Sequence, residues 1–432
     1  MVRPGARAAS SKWRLRRAKP SPGLGRKDTH AARARPTTPT TSGIIVRLGG
    51  FFDFSMGNVS DDADKGLARN TAGSVTSAAG RQRNDFRTES EINLYADGVA
   101  ANGMRYGAVF ELQMDNMGGN GGANTNGSGT GVDYDELYGF VKGSWGELRF
   151  GQEDSAASLL QIRRPSTLWM GDSDAWDEFL LDSRYVIAGV GDGNDATKII
   201  YLSPQFMGFD AGISYAPNRF EGERPDSPTS LTTSQRDRTG LENEISAALR
   251  YRGTFGPVGV GASFVAQFAD SASQNANGTP VAVRGQNITT YAGGLLLRAF
   301  GFALGGDYTW GNYRTTPANG AINPGTDGSS QWAVGLTYTI GAFSVGGMYS
   351  QGTQDNGGTV ADRKQTYAGV GLAYVLAPGM TLFANYNQIK DENIPTAAPT
   401  SAGATLINFG TAASPDRTRD ITVLAAGVRI AF

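Results

Sequence analysis

Five carboxylates, Asp172, Asp174, Asp177, Glu178 and Asp182, fall within eleven positions of one long connecting segment. Acids this dense favour cations wherever they line a narrow polar passage; the plainer reading is that some cap a short helix or stay solvated. Six arginines are placed to oppose them, since Arg47, Arg87, Arg105, Arg149, Arg250 and Arg429 each sit on the polar side of an alternating segment. Catalysis by the usual groups is not supported. The chain has no cysteine, and its one histidine, His30, lies in a basic tail, so the remainder holds no Ser-His, Cys-His or His-metal constellation. Asp61-Asp-Ala-Asp64 and Asp192-Gly-Asn-Asp195 offer oxygen ligands without the full spacing of a calcium loop. They read as solvated turns, and no metal or other cofactor is expected. Gly49-Gly50 and the glycine-rich stretch 118–131 lack a following Lys-Ser or Lys-Thr, which removes the phosphate-cradle reading.

The elements that must position these charges are strands. Sixty glycines and 10% aromatic residues beside only 18% charged residues suit many strands and tight turns better than a helical enzyme. Mean hydropathy is −0.31, and no stretch approaches the roughly 20 apolar residues of a membrane helix. A membrane-spanning barrel remains open, because lipid-facing and lumen-facing residues alternate and average to a polar composition.

Charge divides the chain in two. Of 39 lysines and arginines, 11 lie in residues 1–43 beside a single acid, Asp28, which leaves 28 bases against 39 acids in the remainder. Residues 1–43 contain neither a secretory apolar run nor a core and read as a disordered basic tail. Nucleic-acid or anionic-lipid binding is the functional alternative for such a tail; the preferred expectation is a misassigned start, with the native product beginning near Ser42 or Gly43 and binding no nucleic acid.

From Ile44 onward the apolar signal has period two. Ser90, Ile92, Leu94 and Ala96 alternate with Glu89, Glu91, Asn93, Tyr95 and Asp97. After a short gap, Met104, Tyr106, Ala108, Phe110, Leu112 and Met114 alternate with Arg105, Gly107, Val109, Glu111, Gln113 and Asp115. With strands near 44–57, 134–142, 146–153, 197–203, 208–216, 242–253, 257–269, 288–299, 301–313, 330–340, 342–352, 364–376, 379–390 and 419–432, the count is about 16, an even number as bacterial barrels require. Connections alternate in length. Short turns fall at 143–146, 204–208, 253–256, 340–342 and 377–379, and between them lie long polar stretches such as 118–131 and 217–240. This is the asymmetry of outer-membrane barrels. Aromatic residues near strand ends, among them Phe51, Phe52, Phe54, Tyr215, Tyr308, Trp310, Tyr338, Tyr349, Tyr374 and Tyr386, suit interfacial girdles; the alternative is a core between two soluble sheets.

The last strand, Ile421-Thr-Val-Leu-Ala-Ala-Gly-Val-Arg-Ile-Ala-Phe432, ends on an aromatic residue with Ile430, Val428, Ala426, Leu424 and Thr422 on its face. It resembles the C-terminal signal read by the barrel assembly machinery. With the strand-turn-strand segment from Tyr134 to Glu153, residues 44–432 resemble the Gram-negative general porins, of the alphaproteobacterial type. That resemblance implies an all-β fold, a transmembrane antiparallel up-and-down barrel of about 16 strands, in which the third long loop, here Asp154 to Asp195, folds inward to narrow the pore. It also implies a homotrimer in the outer membrane, in contact with lipid and lipopolysaccharide, passing small hydrophilic solutes and ions by diffusion. In that family the loop acids face wall arginines, so Asp172, Asp174, Asp177, Glu178 and Asp182 would oppose the six arginines across the constriction, and Phe432 would carry the assembly signal. Ser158-Leu-Leu-Gln-Ile162 and Phe179-Leu-Leu181 fit a short helix on the barrel wall or contacts between protomers. The acid excess implies mild cation selectivity. A substrate-specific channel of the same architecture is the first alternative and a structural or adhesin barrel another, although about 16 strands enclose a lumen too wide for side chains to plug. An outer-membrane enzyme lacks the histidine base here.

Overall fold

A computed structural model describes residues 43–61, 68–69, 75–77, 83–114, 133–171, 176, 179–180, 189–191, 193, 195–218, 238, 240–274, 280–281, 285–313, 328–355, 361–393 and 418–432. In chain order the strands are β1 (Ile45–Asp61), β2 (Ala68–Arg69), β3 (Val75–Ser77), β4 (Asn84–Val99), β5 (Arg105–Gln113), β6 (Asp133–Gly143), β7 (Gly146–Gln152), β8 (Thr197–Leu202) and β9 (Phe209–Asn218). They continue as β10 (Glu242–Phe255), β11 (Val258–Asp270), β12 (Ile288–Ala299), β13 (Phe302–Asn312), β14 (Ser329–Ile340), β15 (Phe343–Gln354), β16 (Arg363–Ala377), β17 (Met380–Glu392) and β18 (Arg419–Ala431). A short helix, α1 (Ala156–Leu160), lies between β7 and β8. Sixteen of the strands form one closed antiparallel barrel, each paired with its sequence neighbours, and β2 with β3 makes a separate two-stranded sheet.

The barrel closes where β1 takes β4 on one side and β18 on the other. Residues from Ile45 pair with β4, and from Phe51 onward β1 also pairs with β18, with Phe51 opposite Ala431. At the seam Gly50 and Phe432 exchange both backbone hydrogen bonds, at 3.2 and 3.1 Å. Gly50 has φ +152°, and a Cβ there would lie 2.2 Å from the Glu91 carbonyl oxygen, so the glycine pair serves closure.

Seven short turns gather at one rim and the longer connections at the other, as the alternation of lengths predicts. One turn shifts: β10 runs through Gly253 to Phe255, and the chain reverses at Gly256-Pro257. In the Phe300-Gly301 turn both residues have positive φ, 53° and 84°, which matches the right-handed twist of the strands it joins.

Strand parity holds around the wall. On β10 the side chains of Glu244, Ser246 and Ala248 are buried while Ile245 and Leu249 point outward, 43% and 51% exposed. Outward-facing aromatics pair near the short-turn rim, as in Phe209 with Tyr251 (4.9 Å between rings) and Phe302 with Tyr338 (4.4 Å), and again towards the long-loop rim, as in Tyr291 with Trp310 (5.7 Å) and Trp332 with Tyr349 (5.4 Å). They form two belts on the lipid side, not a core between soluble sheets. The buried apolar core lies inside the barrel instead. Val59, Ile389, Ile421, Val423 and Ala425 on the inner wall are covered by Trp169, Met170, Trp176 and Phe179 of the β7–β8 connection.

Candidate functional site

The described parts of the connection between β7 and β8 lie inside the barrel, and several points along them have a wall partner. Ser155 caps α1, accepting from the Ser158 backbone N–H at 3.2 Å. The next two helical N–H groups, of Ala156 and Ala157, have no partner within the helix. Ser214 on β9 and Ser246 on β10 accept them, each at 3.1 Å. The apolar Ser158–Ile162 piece therefore serves wall packing, with Ala156, Ala157 and Leu160 buried. Beyond α1 the chain runs extended along the wall. The Ile162 N–H donates to Ser263 Oγ on β11 at 2.6 Å, and the Arg164 N–H and guanidinium both donate to Asp307 on β13, at 3.0 and 2.8 Å. Further round, Gly171 N–H donates to Tyr367 on β16 at 3.0 Å, and Trp169 Nε1 donates to Asp53 on β1 at 2.9 Å. A loop buried against a wall must place its backbone polar groups on partners, and here serine, aspartate and tyrosine oxygens of β9, β10, β11, β13, β16 and β1 meet its polar groups.

Lumen-facing glycines make the room. A Cβ on Gly294 of β12 would sit 1.7 Å from the Ile162 carbonyl oxygen, and one on Gly335 of β14 would sit 2.3 Å from that of Pro165. On Gly371 of β16 it would meet Thr167 Oγ1 at 2.1 Å, and on Gly57 of β1 the Phe179 ring at 2.7 Å. The loop lies in a track that any larger side chain would block. Phe179 is buried inside the barrel in this way, which places it against the wall of its own chain and not at a protomer contact.

The wall arginines face the lumen but are matched by wall groups. Arg429 forms an ion pair with Asp53 at 2.6 Å, directly opposite in register, and Arg250 with Asp210 at 2.7 Å, also directly opposite. Arg47 and Arg105 share Asp97 at 2.7 and 3.0 Å, Arg149 meets Glu147 and Glu153 at 2.8 and 2.6 Å, and Arg87 lies over the Phe179 ring at 6.0 Å. Asp172, Asp174, Asp177, Glu178 and Asp182 lie outside the described residues. Of the oxygen-rich turns, Asp61 accepts both Arg419 bonds, at 2.8 and 2.6 Å, and residues 62–64 lie outside the described residues, as do Asp192 and Asn194.

Carboxylates outside the predicted set, with Asp195 of the oxygen-rich turn, gather on the β4–β6 arc that also carries Arg87 and Arg105. Oxygens of Glu91, Glu111 and Asp135 lie within 4.8 Å of one another, and so do those of Glu136, Asp154 and Asp195. A register shift between Phe110 and Leu112 sets two residues of β6, Asp135 and Glu136, against the single Glu111 of β5. Even spacing along Tyr134–Lys142 would have turned one of the two outward. Asp53, Arg164 and Asp307 were missed as well, and the signal available for the loop's path was the recurrence of glycine at lumen parity in consecutive strands.

The family model described as Gram-negative porin matches residues 30–394. The chain belongs to that family. Among solved structures, the anion-selective porin from Comamonas acidovorans has a TM-score of 0.52 at 17% identity, covering 90% of this chain and 100% of its own. The outer membrane channel DcaP of Acinetobacter baumannii has a TM-score of 0.56 at 13% identity, over 90% of this chain and 98% of its own. A loop-deletion form of OmpT, an outer membrane protein of Vibrio cholerae, has a TM-score of 0.53 at 12% identity, over 90% and 100%. These likenesses establish the shared barrel. No curated protein matches. As a Gram-negative porin the protein is an outer-membrane β-barrel whose lumen is a channel for solutes, and its family and fold are those of non-enzymatic channels. The short-turn rim is the periplasmic one.

Proposed function

We propose that this porin passes small hydrophilic solutes and ions by passive diffusion with a modest preference for cations. The observation that carries this reading is the pair of acidic triads on the lumen wall, six carboxylates drawn together where the inward loop leaves and rejoins the barrel. Carboxylates held this close share protons, and the negative charge they keep between them favours a passing cation, whereas five of the six wall arginines are ion-paired with neighbouring acids. The loop acids Asp172, Asp174, Asp177, Glu178 and Asp182 extend the same field in this reading and face the passage. The Comamonas porin, named anion-selective, shares the barrel at 17% identity; in this reading the sign of selectivity follows the charges in the lumen and not the fold. Replacing Asp172, Asp174, Asp177 and Glu178 with Asn or Gln should shift the reversal potential in a tenfold KCl gradient towards anions, more strongly in dilute salt, where screening lengths grow to about 30 Å. A quadruple variant with the parent's reversal potential would remove those acids from the constriction.

We further propose that residues 44–432 form one protomer of a homotrimer in lipid and lipopolysaccharide, and that residues 1–43 are a basic tail and not part of the barrel domain. In the same reading Phe432 is the signal for the barrel assembly machinery. That residue is 64% exposed and holds the seam through its backbone. Deleting it should lower the yield of folded barrel, read as the heat-modifiable band in outer-membrane fractions, well below any loss of total protein. Equal folded yields with and without Phe432 would count against this role.

A further inference from the structure

We propose that Arg298 forms a binding site for a small oxyanion, a carboxylate or phosphate group, in the periplasmic vestibule beneath the inward loop. Arg298 is the last lumen-facing residue of β12, on the face that includes Gly294, where the loop lies. Its cross-strand neighbours are Gly259 on β11 and Ala303 on β13. Neither can neutralise it. Elsewhere on the wall the cross-strand logic runs the other way, with Arg429 opposite Asp53 and Arg250 opposite Asp210. Among the described residues, Arg298 is a lumen-facing arginine that meets no acid, ring or backbone acceptor.

The same small neighbours leave space around it. Arg298 lines an open cavity of about 570 Å³, together with Pro165 and Ser166 of the inward loop and Ala303, Thr337 and Thr339 of the wall. That lining carries three hydroxyls, of Ser166, Thr337 and Thr339, and no carboxylate, and the Thr339 hydroxyl also shares a hydrogen bond with Ser344 at 2.9 Å. A planar cation with five N–H donors takes two oxygens of a carboxylate or phosphate at once, and serine and threonine hydroxyls can donate to the remaining lone pairs. Strand β12 also lies six to eight places round the ring of sixteen from β6, β5 and β4, which carry Glu136, Asp135, Glu111 and Glu91. The anionic group of a passing solute is therefore drawn to the wall facing the acids, and the site does not depend on the sign of the channel's small-ion preference.

Planar bilayers holding the full chain in dilute KCl, titrated with inorganic phosphate, test this. Phosphate should reduce single-channel current saturably. Arg298→Gln should raise the half-blocking concentration about tenfold, the scale of one lost charge-assisted contact. Arg298→Lys, which keeps the charge but loses the fork, should fall between. Lys142→Gln removes a cation at the same rim that is already held by Glu147 at 2.6 Å, and should leave the block unchanged. Heat-modifiable migration of each variant verifies its barrel. Absence of saturable block in the parent, an unchanged half-block in Arg298→Gln, or an equal shift in Lys142→Gln would overturn the site.

Discussion

Asp307→Ala should release the inward loop from the wall and raise single-channel conductance while the barrel stays closed. Asp307 and Arg164 are buried together, with side chains 4% and 0% exposed, and the carboxylate receives both the Arg164 backbone N–H and its guanidinium. Removing one partner of a buried pair leaves an uncompensated charge and costs about 3–5 kcal/mol. The barrel does not have to absorb that cost, because its strands are held by a continuous ladder of backbone hydrogen bonds. The loop can absorb it by lifting Arg164 into water. Arg164→Met with Asp307→Asn should keep the loop seated and the parent conductance, since the buried guanidinium is gone and the amide oxygen at 307 still accepts the backbone N–H of position 164. Parent-like conductance in the single variant would show that the pair does not hold the loop.

Gly294→Val should have the same effect by a different cause. A Cβ at position 294 would fall 1.7 Å from the Ile162 carbonyl oxygen, closer than any van der Waals contact, and that oxygen is backbone and cannot rotate away. Overpacking a fitted interface costs typically 1–3 kcal/mol, occasionally more, and the loop has to move. Gly293, one position earlier, faces outward, and the nearest atom to a Cβ there is the Ser263 carbonyl oxygen at 3.9 Å. Gly293→Val should therefore leave conductance unchanged. Both variants insert the same β-branched residue into the same strand, so a difference between them isolates the loop contact. Equal conductance in Gly294→Val and Gly293→Val would show that the loop does not depend on this track.

The strands were legible because each carries an apolar face to lipid and a polar face to water at period two, and that pattern needs no knowledge of partners. The ends of β1 and β4 were read short. Val59 and Asp61 continue the lumen face of β1, where Val59 is covered by the loop core and Asp61 is taken by Arg419, but the polar residues around them resemble a loop. The lumen side of β18 was misleading in another way: Ile421, Val423 and Ala425 are as apolar as its lipid side, because tryptophans of the inward loop rest on them. Parity assigns the arginines to a face but not to partners, since Asp53 and Asp210 lie 376 and 40 residues away from Arg429 and Arg250 and meet them only through strand register. The acidic arc was hidden by one bulge, which breaks the alternation at Asp135-Glu136.

We propose that an inward loop, seated on the wall, leaves an open aqueous passage whose acids favour cations. Reversal potential and conductance of single channels of the full chain, recorded in one planar bilayer under a tenfold KCl gradient, test it most directly. Discrete ohmic steps are expected with a reversal potential on the cation side, moving further in that direction when both compartments are diluted together. Absence of conductance steps from correctly folded barrel, or steps that reverse on the anion side, would contradict it.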